Sequence, residues 1–272
     1  MQHFATVYSK DGTSIAFESR GSGPPLLMVH GSTVNRSRWG HVIDTLQRKF
    51  TVYLMDRRGR GDSGDAQDYA IEREFEDVAA VVDAIGNGVC VLGHSYGAIC
   101  SLHAARVAKQ IHRLVVYEPP MRVAGARLPF ADDLQARLDA FLAVGDRQAV
   151  LETFLREVVM VNEVDLANLK KSRSWAIRLA TAPTLPRELR AASTLTFDPE
   201  EFQDVTVPTL VLKGNLSPAM MRAAAHMTHK ALPHSRLEIL RGQGHAAMSS
   251  GPEEFLGKVL PFLLAEDHTS LY

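Results

Sequence analysis

Val89-Cys90-Val91-Leu92-Gly93-His94-Ser95-Tyr96-Gly97-Ala98-Ile99-Cys100-Ser101-Leu102-His103-Ala104-Ala105 passes from a short apolar run, through a glycine-framed turn, into a helix-like segment. Strand, G-x-S-x-G, helix is the context that lifts a serine onto a sharp turn with its hydroxyl exposed. Side chains two residues either side of Ser95 would collide in so tight a turn, and glycine alone removes the Cβ. A serine hydroxyl is a weak nucleophile at neutral pH. The motif therefore calls for a base and an orienting acid elsewhere in the chain.

Similar apolar runs recur on both sides of this segment. Phe4–Tyr8 and Ser14–Ser19 alternate around Asp11-Gly12 and predict an N-terminal hairpin. Leu26–His30, Thr51–Met55, Leu114–Tyr117, Thr209–Leu212 and Leu237–Leu240 read as further strands, most of them apolar on both faces. Amphipathic stretches at Arg38–Gln47, Ile71–Ile85, Ala219–Ala231 and Glu253–Leu264 alternate with them. The pattern predicts an α/β fold with a mostly parallel eight-stranded sheet flanked by helices. Between Met121 and Thr194 the texture changes to amphipathic stretches alone, at Asp132–Val144, Gln148–Val161 and Leu166–Ala180. Such an insertion is far longer than an ordinary connection. The expected organisation is a core of residues 1–120 and 195–272, with a helical cap over 121–194.

The bulk composition narrows the partners. The chain has 272 residues, 46% hydrophobic and 22% charged, with a formal net charge of -1 and no long run of either sign. That balance does not point to nucleic acid or an anionic membrane. No apolar stretch approaches the ~18 residues of a membrane span, and Met1–Thr6 lacks the basic start and apolar core of a signal peptide. A cytoplasmic protein with a small-molecule substrate is expected, as monomer or homodimer. Cys90 and Cys100 fall within apolar elements and read as buried thiols rather than a disulfide. The 11 histidines are dispersed without metal-ligand spacing.

Four segments in order, Val29-His30-Gly31-Ser32, Asp56–Gly64, Gly93–Gly97 and Gly242-Gln243-Gly244-His245, resemble those of the α/β-hydrolase fold. The resemblance covers essentially the whole chain. It implies Ser95 as nucleophile, His245 as general base, and the backbone amides of Ser32 and Tyr96 as an oxyanion hole. The chemistry asks for two such donors, since each can be worth ~3 kcal/mol in the transition state. Asp56–Gly64 reads as a supporting loop, because it lacks the Lys-Ser/Thr ending of a P-loop. His30 and His94 read as structural supports.

The acid departs from the family pattern. Most relatives place it just after the strand that here is Thr209–Leu212, and Lys213-Gly214-Asn215-Leu216-Ser217-Pro218 holds no carboxylate. Glu118, at the end of the strand following the elbow helix and braced by Pro119-Pro120, is the candidate. Some α/β-hydrolases place their acid there. A Ser–His pair oriented by Asn215 or a water is the competing arrangement, while Asp198 and Asp204 precede the strand at its wrong end. A serine nucleophile implies acyl chemistry on an ester, thioester, lactone or amide. C–C hydrolysis, a lyase or cyclase outcome, and a ligand-binding receptor stay open. No metal, nucleotide or flavin is implied. Phe141, Phe154, Leu155, Val158, Met160, Val161 and Trp175 are candidate walls for a moderately apolar substrate. Arg36 and Arg38, after the oxyanion loop, could meet a carboxylate, though they read first as surface arginines.

Overall fold

The computed structural model describes residues 2–122 and 130–266. Met1, the start of the expected insertion at 123–129 and the end of the expected core at 267–272 lie outside the described residues. Eight strands form one sheet: β1 (His3–Tyr8), β2 (Ser14–Gly21), β3 (Pro25–Val29), β4 (Thr51–Met55), β5 (Val89–His94), β6 (Ile111–Tyr117), β7 (Thr209–Gly214) and β8 (Ser235–Leu240). Their spatial order is β1-β2-β4-β3-β5-β6-β7-β8. β1 and β2 pair antiparallel, as does β2 with β4, and every other pairing is parallel.

The apolar runs explain why the central strands are central. Successive side chains on a strand point to opposite faces, so a run buried on both faces needs two cores. Leu27, Val29, Val89, Val91, Leu114 and Val116 enter one cluster. Leu26, Met28, Cys90, Leu92, Val115 and Tyr117 enter the other. The first face is covered by α2 (Ile71–Ile85) and α3 (Tyr96–Ala104), whose Val78, Val82, Ile99 and Leu102 join that core. On the second face, α1 (Ile43–Leu46) contributes Ile43 and Leu46.

Between β6 and β7 the chain builds only helices among the described residues: α4 (Leu134–Ala143), α5 (Arg147–Glu157), α6 (Glu163–Lys171), α7 (Trp175–Thr181) and α8 (Leu185–Thr194). They enclose a separate apolar cluster around Leu138, Leu151, Phe154, Leu166 and Leu185. After β7 come α9 (Ala219–Ala231), α10 (Ala247–Ser250) and α11 (Pro252–Leu263). α9 closes the first face through Ala225, and α11 the second through Phe255 and Val259.

Two expected helices differ in detail, and one helix was not expected. Arg38–Gln47 is a 3-10 turn over Arg36–Trp39, capped by Asn35, followed by the single turn of α1. Gly40 separates the two pieces, and glycine is a poor helix former. Leu166–Ala180 is split into α6 and α7 around Ser172–Ser174, where Ser172 Oγ turns back onto the Leu169 carbonyl. Serine competes for backbone partners in this way and favours helix ends. α8 was not singled out in the sequence, although Pro186 stands in its first turn, where proline is tolerated.

Strand order positions the site. The chain leaves β3 for β4 on one side, then returns to place β5 on the other. In parallel sheets the crevice at the carboxyl ends of strands that part in this way receives ligands. The turn after β3 and the turn after β5 therefore lie side by side at that edge.

Candidate active site

Ser95 sits between β5 and α3 with φ 56 and ψ -124, a conformation a non-glycine residue rarely adopts. Such strain persists where the surroundings over-determine it. Here the Ser95 amide is tied to the Tyr117 carbonyl at 2.9 Å, and its own carbonyl accepts from Ala98 at 2.8 Å. The flanking glycines are required for two separate reasons. A Cβ on Gly93 would come within 2.7 Å of Ala98 Cα on the elbow's own helix. One on Gly97 would lie 2.4 Å from the His30 carbonyl oxygen and 2.5 Å from that of Val29, at the end of β3. The second clash is with a neighbouring strand, not with the turn itself.

The turn after β3 closes against the elbow. A Cβ on Gly31 would stand 2.9 Å from Ser95 Cβ. His30 fixes this turn: its Nε2 accepts from the Arg57 amide at 3.1 Å and its Nδ1 lies 2.8 Å from the Gly31 carbonyl. With Nε2 accepting, Nδ1 carries the proton. Burial, reinforced by Arg57 and Arg60, pushes the His30 pKa well below the usual imidazole range. Arg60 grips the Ser32 carbonyl through Nε at 3.0 Å and Nη2 at 2.7 Å. The Ser32 and Tyr96 amides have no acceptor among the described residues, and both residues line the cavity over Ser95. The Tyr96 amide lies in the first turn of α3, where N–H groups are free and the dipole favours negative charge.

His245 arrives on the loop after β8. Its Nδ1 is 2.5 Å from Glu118 Oε2, and the other carboxylate oxygen, Oε1, accepts from the Gly214 amide at 2.7 Å. Glu118 is wholly buried, has φ 47, and is pinned by its own amide to the Leu212 carbonyl at 3.1 Å. The turn after β7, where an acid would ordinarily stand, thus supplies a backbone donor to a carboxylate arriving from β6. Asn215 does not touch the imidazole; its Oδ1 accepts from the Gly242 amide at 2.7 Å. Asp198 caps a short turn ahead of β7 by accepting from Glu200.

The His245 loop is held from below. The Tyr117 hydroxyl donates to the Gly244 carbonyl. His94 Nε2 donates to the His245 carbonyl at 2.7 Å, and the two rings lie tilted at 40° with centroids 4.7 Å apart. Burial and the neighbouring His245 push the His94 pKa well below its ordinary value, so it is a neutral support. Ser95 and His245 face the same cavity, and no hydrogen bond joins them. Hydroxyl–base contacts are often loose before substrate binds. Among the described residues no group of three His, Cys, Asp or Glu side chains is placed to hold a metal ion. Cys90 and Cys100 are both buried.

Asp56–Gly64 is a charge scaffold. Arg57 makes a two-pronged pair with Glu74 at 2.6 and 2.7 Å, reaches Glu188 of α8 at 2.6 Å, and lies 4.4 Å over the Tyr96 ring. Arg58 pairs with Asp77 and Asp11, and Arg60 with Glu188. Nothing near these arginines in sequence announces their partners. The density of arginines in one short loop between a strand and a helix is the only cue.

The cavity encloses about 1000 Å³. Phe154, Leu155, Val158, Met160 and Val161 line it, as expected, while Phe141 and Trp175 pack within the helical cluster instead. The two flanking arginines are not simple surface residues. Arg36 pairs with Asp56, Asp62 and Glu18. Arg38 lines the cavity, as does Arg178, which the sequence reading missed.

A chain with this sheet order, elbow and opposing histidine loop belongs to the alpha/beta hydrolase family, whose model matches residues 26–258. It is 40% identical to an alpha/beta hydrolase of Sphaerobacter thermophilus of known structure, with a TM-score of 0.84 over 95% of this chain and 99% of that one. It is 28% identical to a pimeloyl-[acyl-carrier protein] methyl ester esterase of Aeromonas hydrophila subsp. hydrophila, covering 89% of this chain and 96% of the relative. It is also 27% identical to a 2-(acetamidomethylene)succinate hydrolase of Mesorhizobium japonicum, covering 90% of this chain and 89% of the relative. No described helix is long and apolar enough to cross a membrane.

Proposed function

We propose that this chain is a serine hydrolase of the carboxylesterase type, cleaving an ester or related acyl bond of a small substrate through an acyl-enzyme. The carrying observation is the Glu118–His245 contact at 2.5 Å, facing a strained Ser95 beside two unengaged amides. Glu118 holds the Nδ1–H tautomer, leaving Nε2 free to accept the Ser95 proton. Ser95 Oγ then bonds to the acyl carbon, and the carbonyl oxygen becomes an oxyanion held by the Ser32 and Tyr96 amides. Collapse breaks the bond to the leaving group, which takes the proton from His245 Nε2. Water attacks the acyl-enzyme, gives its proton to His245, and releases the acid as Ser95 is reprotonated. Every step uses side chains of this chain and water.

The helices α4–α8 act as the cap in this reading, with Glu188 of α8 tying them to the core through Arg57 and Arg60. The esterase names among the relatives support ester cleavage without naming this chain's substrate. Nothing in the geometry singles out a lyase, a C–C hydrolase or a receptor. Fluorophosphonate labelling and turnover of p-nitrophenyl butyrate test the proposal. Wild type is expected to label and turn over, and Ser95→Ala to do neither. Serine-independent turnover, or absence of both activities in wild type, would refute it.

A further inference from the structure

The buried arginines of the Asp56–Gly64 loop are neutralised: Arg57, Arg58 and Arg60 each carry a carboxylate. Two arginines beside the cavity, buried Arg178 and half-buried Arg38, do not among the described residues. Arg178, on α7, is 8% exposed and has no ion pair among the described residues. Its Nη1 donates to the Thr33 hydroxyl at 2.8 Å and more distantly to the Thr33 carbonyl, while its Nε is buried without a partner. Arg38 reaches Met248 Sδ at 2.9 Å and Ser249 Oγ at 3.4 Å, again with an unpartnered Nε and no carboxylate. Both side chains line the cavity over Ser95.

The acidic residues around that cavity are engaged elsewhere. Glu188 is shared by Arg57 and Arg60 through Oε1, its Oε2 being buried without a partner, Glu118 is taken by His245 and Gly214, and exposed Asp165 pairs with Asn162. Burial and the charge of Arg178 lower the Arg38 pKa to about 10, so it remains a cation at neutral pH. Burial also lowers that of Arg178. Two partly desolvated like charges facing one cavity destabilise the empty protein unless an anion joins them. Guanidinium forks suit a carboxylate in geometry as well as charge.

We infer that Arg38 and Arg178 form a carboxylate-binding subsite, so that the molecule presented to Ser95 carries a free carboxylate in addition to its scissile bond. The word scissile rests on the serine-hydrolase reading; the anion subsite does not. Its position follows from its anchors. Thr33 adjoins Ser32 of the oxyanion turn, and Met248 and Ser249 follow His245 on the base loop. The carboxylate is thus held beside the reacting centre, and Phe154, Leu155 and Val158 remain for the apolar part. An anionic hemiester or hemiamide of a short dicarboxylic acid has this chemistry.

The test compares mono-p-nitrophenyl glutarate with p-nitrophenyl butyrate. Wild type is expected to favour the anionic ester at least tenfold in kcat/KM, chiefly through KM. Arg38→Gln and Arg178→Gln should each cut that preference by about tenfold or more, since each removes a charge-assisted fork. Arg178→Lys should recover part of it, and Arg147→Gln, at an exposed position at the start of α5, should leave the ratio unaltered. Free glutarate should inhibit wild type far more strongly than uncharged glutaramide, a comparison that needs no variant. Calorimetric titration of glutarate into Ser95→Ala, with and without Arg178→Gln, reads the subsite in the absence of turnover. If wild type cleaves neither ester, the hydrolase reading fails and the titration still decides the subsite. An unchanged ester preference in both glutamine variants, or glutarate binding that is absent or indifferent to Arg178, overturns the inference.

Discussion

Replacing Glu118 by glutamine tests the relay at its least expected member, and the structure dictates how the amide must sit. In wild type one carboxylate oxygen accepts from the Gly214 amide and the other meets His245 Nδ1. A glutamine can satisfy the Gly214 N–H only with its Oε1, so its NH₂ must face the imidazole. An N–H aimed at Nδ1 requires a lone pair there, which moves the ring proton to Nε2, the atom that must accept from Ser95. The substitution therefore imposes the wrong tautomer and removes the charge that stabilises the imidazolium. An analogous acid-to-amide change in a serine protease costs about 10⁴ in kcat. A loss of 10²–10⁴ is expected here, or about 3–5 kcal/mol at 1.36 kcal/mol per decade. Burst kinetics on a p-nitrophenyl ester should show acylation slowed while KM changes little. Because the shape is conserved, circular dichroism should show a folded protein. A folded Glu118→Gln enzyme retaining more than a tenth of wild-type kcat would refute the assignment and return the orienting role to a water or another group.

Removing Arg57 strands Glu74 and Glu188 in a buried site, so Arg57→Met should cost roughly 3–5 kcal/mol of stability. Thermal melting should fall by at least about 6 °C on the size scaling for a chain this long; an unchanged melt would mean the pairs are energetically silent. Gly97→Ala should yield little folded protein, because its Cβ meets β3 carbonyls at 2.4 and 2.5 Å. Gly257→Ala, with nothing within 4 Å inside α11, should instead stabilise by about 0.5–1 kcal/mol in urea titrations. Three buried histidines set an acid limb of stability. Burial holds the His30 and His94 pKa values well below 6.5 and that of His103 at about 3. The unfolded chain binds those protons first as pH falls, so stability is full above about 6.5 and declines below it. The decline between pH 7 and 5 should reach up to about 2 kcal/mol per histidine. Denaturant melts that coincide at the two pH values would contradict it.

Much of the architecture was legible because local pattern and global role agree. Leu26–Val29 and Val89–Leu92 alternate between two cores, and only a covered parallel sheet gives a four-residue apolar run two buried faces. Ser95 and His245 were legible because glycines frame each of them. Glu118 was reached by subtraction, from the missing carboxylate after β7. Its left-handed φ and its bond to Gly214 arise from residues almost a hundred positions away. Partners at that range leave no local signature, which is also why Arg57's attachment to Glu188 and the place of Arg38 on the cavity wall went unread. The split between α6 and α7 escaped for a different reason. Helical spacing continues across Ser172–Ser174, and only the serine's competing backbone bond ends the helix.

Placing the proposed acid just after β6 has a consequence for how this enzyme can be altered. On that reading the turn after β7 contributes only the Gly214 amide to the relay. Beyond that amide, Leu216, Pro218, Met220 and Met221 form part of the cavity wall. Selectivity and the catalytic relay are thus written on separate stretches of chain. A library that varies Leu216 and Met220 can reshape the chamber while the machinery at Glu118 stays intact.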